Sequence, residues 1–327
     1  MIMKAGSRPT VVDLFSGAGL FSYAFAREGF NIVQAVEINR RAAATYAANL
    51  GEHIMCDDVT KVKPEGRCDV LIGGPPCQGF STLGRMDPRD PRNLLGLEMV
   101  RWSKVLCPSV VVIENVAAFL DSPTWAIIAL RFQRLGYDVH KMVLNAADFG
   151  VPQLRSRSFT IASKLGPVEM HPHFSSPRTV AEAWEGLARR PDGRNFHYAP
   201  KPSPLALARM RVIPEGGDKR DVMERAPRLA PPSWWRTTNV VTDVWGRMSW
   251  DKPSNTLRTC LNNPSKGRYI HPSQNRVISL REAARLHTIA DNWTFQGDPV
   301  HVAAQIGNSV PPDLGRAIAR AVARILY

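Results

Sequence analysis

Apolar positions in the first half of the chain fall into short β-branched runs separated by longer stretches with helical spacing. T-V-V-D-L-F (10–15), N-I-V-Q-A-V-E (31–37), C-D-V-L-I-G (68–73) and S-V-V-V-I-E (109–114) have strand length and are rich in Val and Ile. Between and after them, 20–28, 40–49, 97–105 and 125–135 carry helical patterns. The last of these stops at Gly136, a residue suited to the left-handed end of a helix. Alternating strands and helices predict an α/β fold, a doubly wound and mostly parallel sheet of Rossmann-like type. Ligands of such sheets sit beyond the carboxyl ends of the strands, and here the chemically unusual residues follow those ends. At the other end of the chain, Leu314, Ile318, Val322 and Ile325 share one helical face behind Pro311 and Pro312. That amphipathic helix needs a core, which the α/β layer supplies, so the large domain is expected to be discontinuous: 1–166 plus 300–327, interrupted by 167–299.

The interrupting stretch reads differently. Prolines break it repeatedly, as in P-K-P-S-P from Pro200 and P-P-S-W-W from Pro231, so it is expected to be loop-rich. It contains Trp184, Trp234, Trp235, Trp245 and Trp250, and from Val168 to His271 there are 17 Lys or Arg against 10 Asp or Glu. Over the whole chain the formal charge is +13, which points to an extended polyanion as partner. Two accounts of the basic insert stand side by side: a solvated irregular domain, or a surface whose Arg and Lys meet phosphates while other side chains read bases.

At 327 residues and 44 % apolar content, a full core and a second, smaller module are affordable. The five cysteines, Cys56, Cys68, Cys77, Cys107 and Cys260, are odd in number and lack C-x-x-C spacing, so neither a disulfide framework nor a metal site is expected. The first ten residues lack a signal-peptide pattern and there is no membrane-length apolar run, which predicts a soluble, cytoplasmic protein.

Three strand ends carry candidate chemistry. D-L-F-S-G-A-G (13–19) closes the first with a glycine-rich turn into a helix, where backbone can approach a ligand closely. Ser22 stands where a third glycine would complete a dinucleotide fingerprint, which argues against a nicotinamide cofactor. Glu37 ends the second strand, either to accept hydrogen bonds from ribose hydroxyls or to cap the helix beginning near Arg40. The decisive run is G-G-P-P-C-Q-G-F-S (73–81), whose glycines and prolines fix an irregular backbone before Cys77. A thiol held there can add to C6 of a pyrimidine that is protonated or hydrogen-bonded at N3. Glu114, in I-E-N-V (113–116), would supply the N3 partner from the next strand end, a carboxyl that desolvation can keep protonated.

D-L-F-S-G-A-G, G-P-P-C-Q-G-F-S, E-N-V, Q-L-R-S-R (153–157), R-E-A-A-R-L (281–286) and Q-I-G-N-S-V-P-P (305–312) occur in the order and spacing of the DNA (cytosine-5)-methyltransferase family, which the chain resembles throughout except in its basic insert. The resemblance implies a catalytic methyltransferase domain and a target-recognition domain in 167–299. It implies S-adenosylmethionine as methyl donor, held by Phe15, Gly17, Gly19, Glu37, Ile38, Asp58, Pro76, Asn308 and Ser309, with Asp57 an alternative to Asp58. Cys77 is then the nucleophile, Glu114 the N3 partner and Arg157 a ligand of the extruded base that supports the Cys77 loop. Gln78 and Ser81, in a segment from 78 to about 93 that could close as a lid, would meet DNA, as would Arg155, Arg258 and Arg268. Arg155 and Gln153 have a second reading as organisers of structure, and Arg258 and Arg268 as parts of a turn. Asn262 and Asn263 share that pair of readings. Double-stranded DNA is the implied partner, with no membrane and no metal. The restriction-modification type implies a companion endonuclease, and a nucleoid-associated monomer is the default. An RNA cytosine methyltransferase is the nearest rival, although its C-F-T tripeptide is missing here, and a non-catalytic DNA-binding protein is the rival of a different class. His287, Thr288, Ile289, Ala290 and Asp291 depart from the usual continuation of R-E-A-A-R-L, which bears on packing of the smaller domain.

Overall fold

A computed structural model describes residues 8–76, 91–172, 176–236 and 243–327. In chain order the first part runs β1 Thr10–Leu14, α1 Leu20–Arg27, β2 Asn31–Val36, α2 Arg40–Leu50, β3 Ile54–Met55, β4 Val70–Gly73, α3 Leu97–Leu106, β5 Val110–Asn115, α4 Pro123–Arg134, β6 Asp138–Asn145, β7 Gln153–Leu154 and β8 Ser156–Ser163. Then follow α5 Val180–Ala183, α6 Pro204–Val212, α7 Lys219–Arg225, α8 Pro232–Trp235, β9 Ser254–Asn255, α9 Leu280–Leu286, α10 Pro299–Asn308 and α11 Pro312–Leu326. No helix among the described residues is long and apolar enough to cross a membrane.

Contacts divide the chain into two compact units, one of Met1–Phe149, Ser156–His173 and Ser309–Tyr327, the other of Gly150–Arg155 and Phe174–Asn308. The first holds a seven-stranded sheet in the order β3-β2-β1-β4-β5-β8-β6. Pairings from β3 to β5 are parallel, and β8 runs antiparallel to both β5 and β6. The four predicted strands are its parallel heart. β4 and β5 at its centre are buried along their whole length, as strands covered on both faces are, whereas β2 is exposed or half-buried from Asn31 to Gln34. On one face Val12, Leu14, Leu71, Val111 and Ile113 pack with Met99 and Trp102 of α3 and Ile128 and Phe132 of α4. On the other, α11 lies close against α1: a Cβ placed on Gly315 would come within 2.7 Å of Ala24 Cβ. Arg316 and Arg320 reach Glu28 at 2.7 and 3.0 Å. Burial pushes the Glu28 carboxyl upward, but hydrogen bonds from Arg320 and Arg316 outweigh it and hold it below the usual range. The last helix therefore belongs to the first unit, while α10, expected there too, belongs to the second.

A buried polar line runs within this unit. Ser22 Oγ donates to Asp13 Oδ2 at 2.6 Å, Tyr46 Oη donates to Ser22 Oγ at 3.2 Å, and Tyr46 Oη lies 2.9 Å from His53 Nε2. Burial pushes the Asp13 carboxyl up to about 7, against 3.8 for an ordinary aspartate. Stability from the neutral carboxyl is therefore complete below pH 4 and is lost as pH rises through about 7. Asp13→Asn cannot ionise, so between pH 4 and 8 the wild type should lose roughly 4 kcal/mol relative to the variant. Urea denaturation across that range measures the difference, and parallel pH profiles would refute it.

The second unit has few regular elements: short helices and the β7–β9 pair. Its loop carbonyls need donors, and buried arginines provide them. Arg247, 4 % exposed, donates to the carbonyls of Met210, Ile213, His271 and Gln274. Arg281 donates to those of Asn195, Ala290 and Trp293. Gln153 bonds His287 and Leu257 across long stretches of chain. These two arginines of the basic insert are thus structural.

Candidate active site

The turn after β1 is built from left-handed backbone. Phe15, Gly17 and Gly19 have φ of +57°, +56° and +90°. A Cβ on Gly19 would lie 2.7 Å from the Tyr46 ring, so that position requires glycine for space as well as conformation. Phe15 adopts the same region without glycine's freedom, a strain of about 1 kcal/mol that the flanking hydrogen bonds from Ser16 N to Val36 O and from Gly19 N to Ser16 O hold in place.

Glu37 bridges this turn and the start of α2. Its Oε2 accepts from Gly17 N at 2.8 Å and its Oε1 from Asn39 N at 2.7 Å. The helix cap itself is Asn39, whose side chain accepts from Arg41 N and Ala42 N, so of the two readings of Glu37 the capping one fails. Burial raises the Glu37 carboxyl, partly offset by the backbone donors of Asn39, Gly17 and Ile38. Each oxygen keeps a lone pair for a vicinal diol. Ile38 is 67 % exposed beside it. Asp58 Oδ1 is taken by Thr60 N and Oγ1, which hold the carboxyl below its usual range, while Oδ2 has no protein partner among these bonds. These donors and acceptors fit an adenosine: hydroxyls on Glu37, an amino group on Asp58, and an apolar face on Ile38. Glu37→Ala should therefore weaken S-adenosylmethionine binding by about 10- to 100-fold, the value of a charged hydrogen-bond pair. Calorimetric titration checks this, and an unchanged affinity would remove Glu37 from the site. Ser309 is half-buried in the first unit and Asn308 exposed at the end of α10 in the second.

One strand further along the sheet, Gly73 ends β4 where a Cβ would meet Leu14 O at 2.8 Å and Met99 Sδ at 2.7 Å. Gly74 follows, and a Cβ there would sit 3.4 Å from Glu114 Oε2. The Glu114 carboxyl thus lies over the start of the G-G-P-P run, as parallel pairing of β4 and β5 in register Gly73↔Ile113 requires. Glu114 is 8 % exposed, and Arg157 Nε pairs with its Oε1 at 3.1 Å. Arg157 Nη1 donates to Ser156 O at 2.7 Å. Asn115, to which sequence reasoning assigns no role, donates through Nδ2 to Pro75 O at 3.2 Å. Its position between Glu and Val in E-N-V was the available signal. Pro76 is half-buried. Cys77, Gln78 and Ser81 lie outside the described residues.

Three basic residues expected to meet DNA are engaged within the second unit. Arg155 is 1 % exposed and donates to Leu257 O at 3.0 Å and Gly307 O at 2.8 Å. Arg268 donates through one nitrogen to the carbonyls of Gly216, Gly217 and Arg247. Of the two readings of each, these bonds fit the structural one, since both guanidinium groups donate to loop carbonyls. Arg258 is partly exposed and pairs with Asp243 at 2.7 Å, so a phosphate would have to compete with that carboxylate. Among the described residues no cluster of His, Cys, Asp and Glu could hold a metal ion.

Residues 9–324 match the family model for C-5 cytosine-specific DNA methylase. The chain is 38 % identical to the Type II methyltransferase M1.HphI of Haemophilus parahaemolyticus, over 97 % of this chain and 87 % of that protein. It is 30 % identical to the Type II methyltransferase M.DdeI of Desulfomicrobium norvegicum, over 95 % of this chain and 88 % of that one. Among solved structures it is similar, at 26 % identity and a TM-score of 0.75, to one from E. coli described as a DNA modification methyltransferase encoded within a prophage, covering 97 % of this chain and 99 % of that one.

Proposed function

The chain belongs to the C-5 cytosine-specific DNA methylase family, and on that premise we propose that it methylates C5 of a cytosine within a short double-stranded DNA sequence, with Cys77 as covalent nucleophile. The observation that carries the reading is the carboxyl of Glu114 over Gly74, with Asn115 bonded to Pro75, which links two consecutive strand ends immediately ahead of Cys77 in the chain.

C6 of a stacked cytosine is inaccessible, so the nucleotide must first rotate out of the duplex, at a cost of a few kcal/mol. Phosphate contacts from the second unit help offset that cost. Glu114 binds N3 and supplies its proton, Arg157 orients the carboxyl and the base, and the Cys77 thiolate forms a bond to C6. The electron pair released toward C5 makes that carbon nucleophilic. S-adenosylmethionine, held by Glu37 and Asp58, supplies an electrophilic methyl group. After transfer, the C5 proton leaves to a base and the Cys77–C6 bond breaks, restoring the aromatic ring. The first unit is the catalytic domain in this proposal, and 167–299 is the target-recognition domain. A companion endonuclease acting on the same sequence, and a monomer acting in the cytoplasm on nucleoid DNA, complete the proposal.

The test is transfer of labelled methyl groups from S-adenosylmethionine to unmethylated duplex DNA, followed by bisulfite sequencing, with Cys77→Ala in parallel. Methylcytosine in one sequence context, absent with the variant, is expected. Transfer to RNA instead, or DNA binding without transfer by the wild type, would refute the proposal.

A further inference from the structure

Of the tryptophans in the described residues, Trp235 alone is strongly exposed, at 56 %. It ends α8, and its neighbour Trp234 points the other way, packing on the cluster of Met210, Ile213, Val222 and Trp245. The Arg209 guanidinium lies 5.1 Å over the rings of both Trp234 and Trp245, and its Nε donates to Leu229 O at 2.8 Å. This clamp anchors the turn from inside, so the outward indole is carried on a fixed base. A preorganised aromatic surface loses little conformational freedom when it binds.

The stretch leading to it is net positive, although Lys219 is buried, Arg220 pairs with Asp218 and Glu224 is exposed. Between Lys219 and Arg236 the sequence has five Lys or Arg and two Asp or Glu. One of those acids, Asp221, is paired with Arg225 at 3.4 Å. Arg228 and Arg236 are exposed and make no ion pair among the described residues. A second copy of this chain would bring like charge to the same patch, which disfavours self-association there. Nucleic acid offers what both features need: phosphates for guanidinium groups and planar faces for an indole.

We propose that Trp235 stacks on a base face uncovered where the bound duplex opens, while Arg228 and Arg236 take phosphates beside it. This rests on the reading that the chain acts on DNA. An intact duplex hides base faces, but rotating one nucleotide out exposes those of its neighbours, and apolar wedges are known to fill such openings.

The experiment begins with the duplex that the wild type methylates. Fluorescence anisotropy with that duplex should give Trp235→Ala an affinity about 5- to 100-fold weaker, while Trp235→Phe, which keeps a ring, stays within about 3-fold of wild type. Arg228→Ala and Arg236→Ala should each reduce the slope of log affinity against log salt by about 0.9. A duplex substituted with 5-iodouracil near the methylated cytosine should photocrosslink to Trp235. S-adenosylmethionine affinity and thermal midpoint should not move, since α8 presents this side chain to solvent. If the wild type methylates DNA and Trp235→Ala binds it equally well, or if Trp235→Ala instead abolishes self-association or capture of an acidic protein, this inference fails alone. If the wild type transfers nothing to any duplex, the reading beneath it fails as well.

Discussion

Glu114→Gln should slow methyl transfer by about 10²- to 10⁴-fold, the contribution typical of a positioned general acid, and should leave S-adenosylmethionine affinity unchanged. The amide keeps the shape of the side chain and an oxygen for Arg157, whose Nε lies 3.1 Å from Glu114 Oε1. Its nitrogen can still donate to N3 of cytosine, so affinity for DNA should fall little. What it lacks is a proton to give up, and without protonation at N3 the ring resists addition of Cys77 at C6. The loss should therefore appear in kcat and in the rate of covalent trapping by a 5-fluorocytosine duplex, with KM for DNA nearly constant. Backbone rearrangement does not confound the comparison: Glu114 is paired with Phe159 of β8, and Ile113 before it with Gly73 of β4. Glu114→Asp moves the carboxyl back by one methylene from Gly74 and should fall between wild type and Gln. A Gln variant that transfers methyl groups within about 3-fold of wild type would remove Glu114 from the chemistry.

Strands buried along nearly their whole length announce themselves in sequence, and β1, β4 and β5 were legible for that reason; β2, exposed over its first half, was legible from its apolar end at Ala35 and Val36 and its place between two helical patterns. β6 and β8 escape the same pattern. β6 is an edge strand in which exposed and half-buried positions mix without strict alternation. β8 opens with Ser156, Arg157 and Ser158, polar residues at the active end of the sheet, where Ser158 Oγ donates to Val116 O at 2.8 Å. Functional demand there overrides the apolar signature that burial would otherwise impose. At the site, Glu37 and Glu114 could be read because they follow strands whose ends were clear. Asn115 was passed over although it stands in E-N-V, because a hydrogen bond to the carbonyl of Pro75, 40 residues earlier, leaves no mark in the apolar pattern. The second unit was the least legible. An arginine that satisfies loop carbonyls, such as Arg247 or Arg281, and one exposed without an ion pair, such as Arg228 or Arg236, contribute identically to composition. Only the placement of the loops separates them.

That distinction makes Arg155 informative. Arg155→Ala should destabilise the second unit by about 4 kcal/mol, the sum of two unsatisfied buried carbonyls and a cavity where a large side chain stood. The two acceptors, Leu257 O at 3.0 Å and Gly307 O at 2.8 Å, belong to segments that approach unusually closely: a Cβ on Gly307 would fall 2.5 Å from the backbone of Arg258 and Thr259. Water cannot easily replace the guanidinium in so tight a contact, which is why the penalty should be near the full desolvation cost. Arg155→Lys offers one compact ammonium in place of a planar fork and should recover only part of the loss. Urea denaturation measures the stability of each variant. DNA binding as a function of salt, at a temperature where Arg155→Ala is still folded, measures the other possibility. An arginine that neutralises a phosphate should reduce the slope by about 0.9 on removal, and Arg155, committed to carbonyls, should leave it unchanged. A shallower slope with an unchanged denaturation midpoint would mean that the side chain turns outward to DNA, and that the carbonyls of Leu257 and Gly307 find other donors when it does.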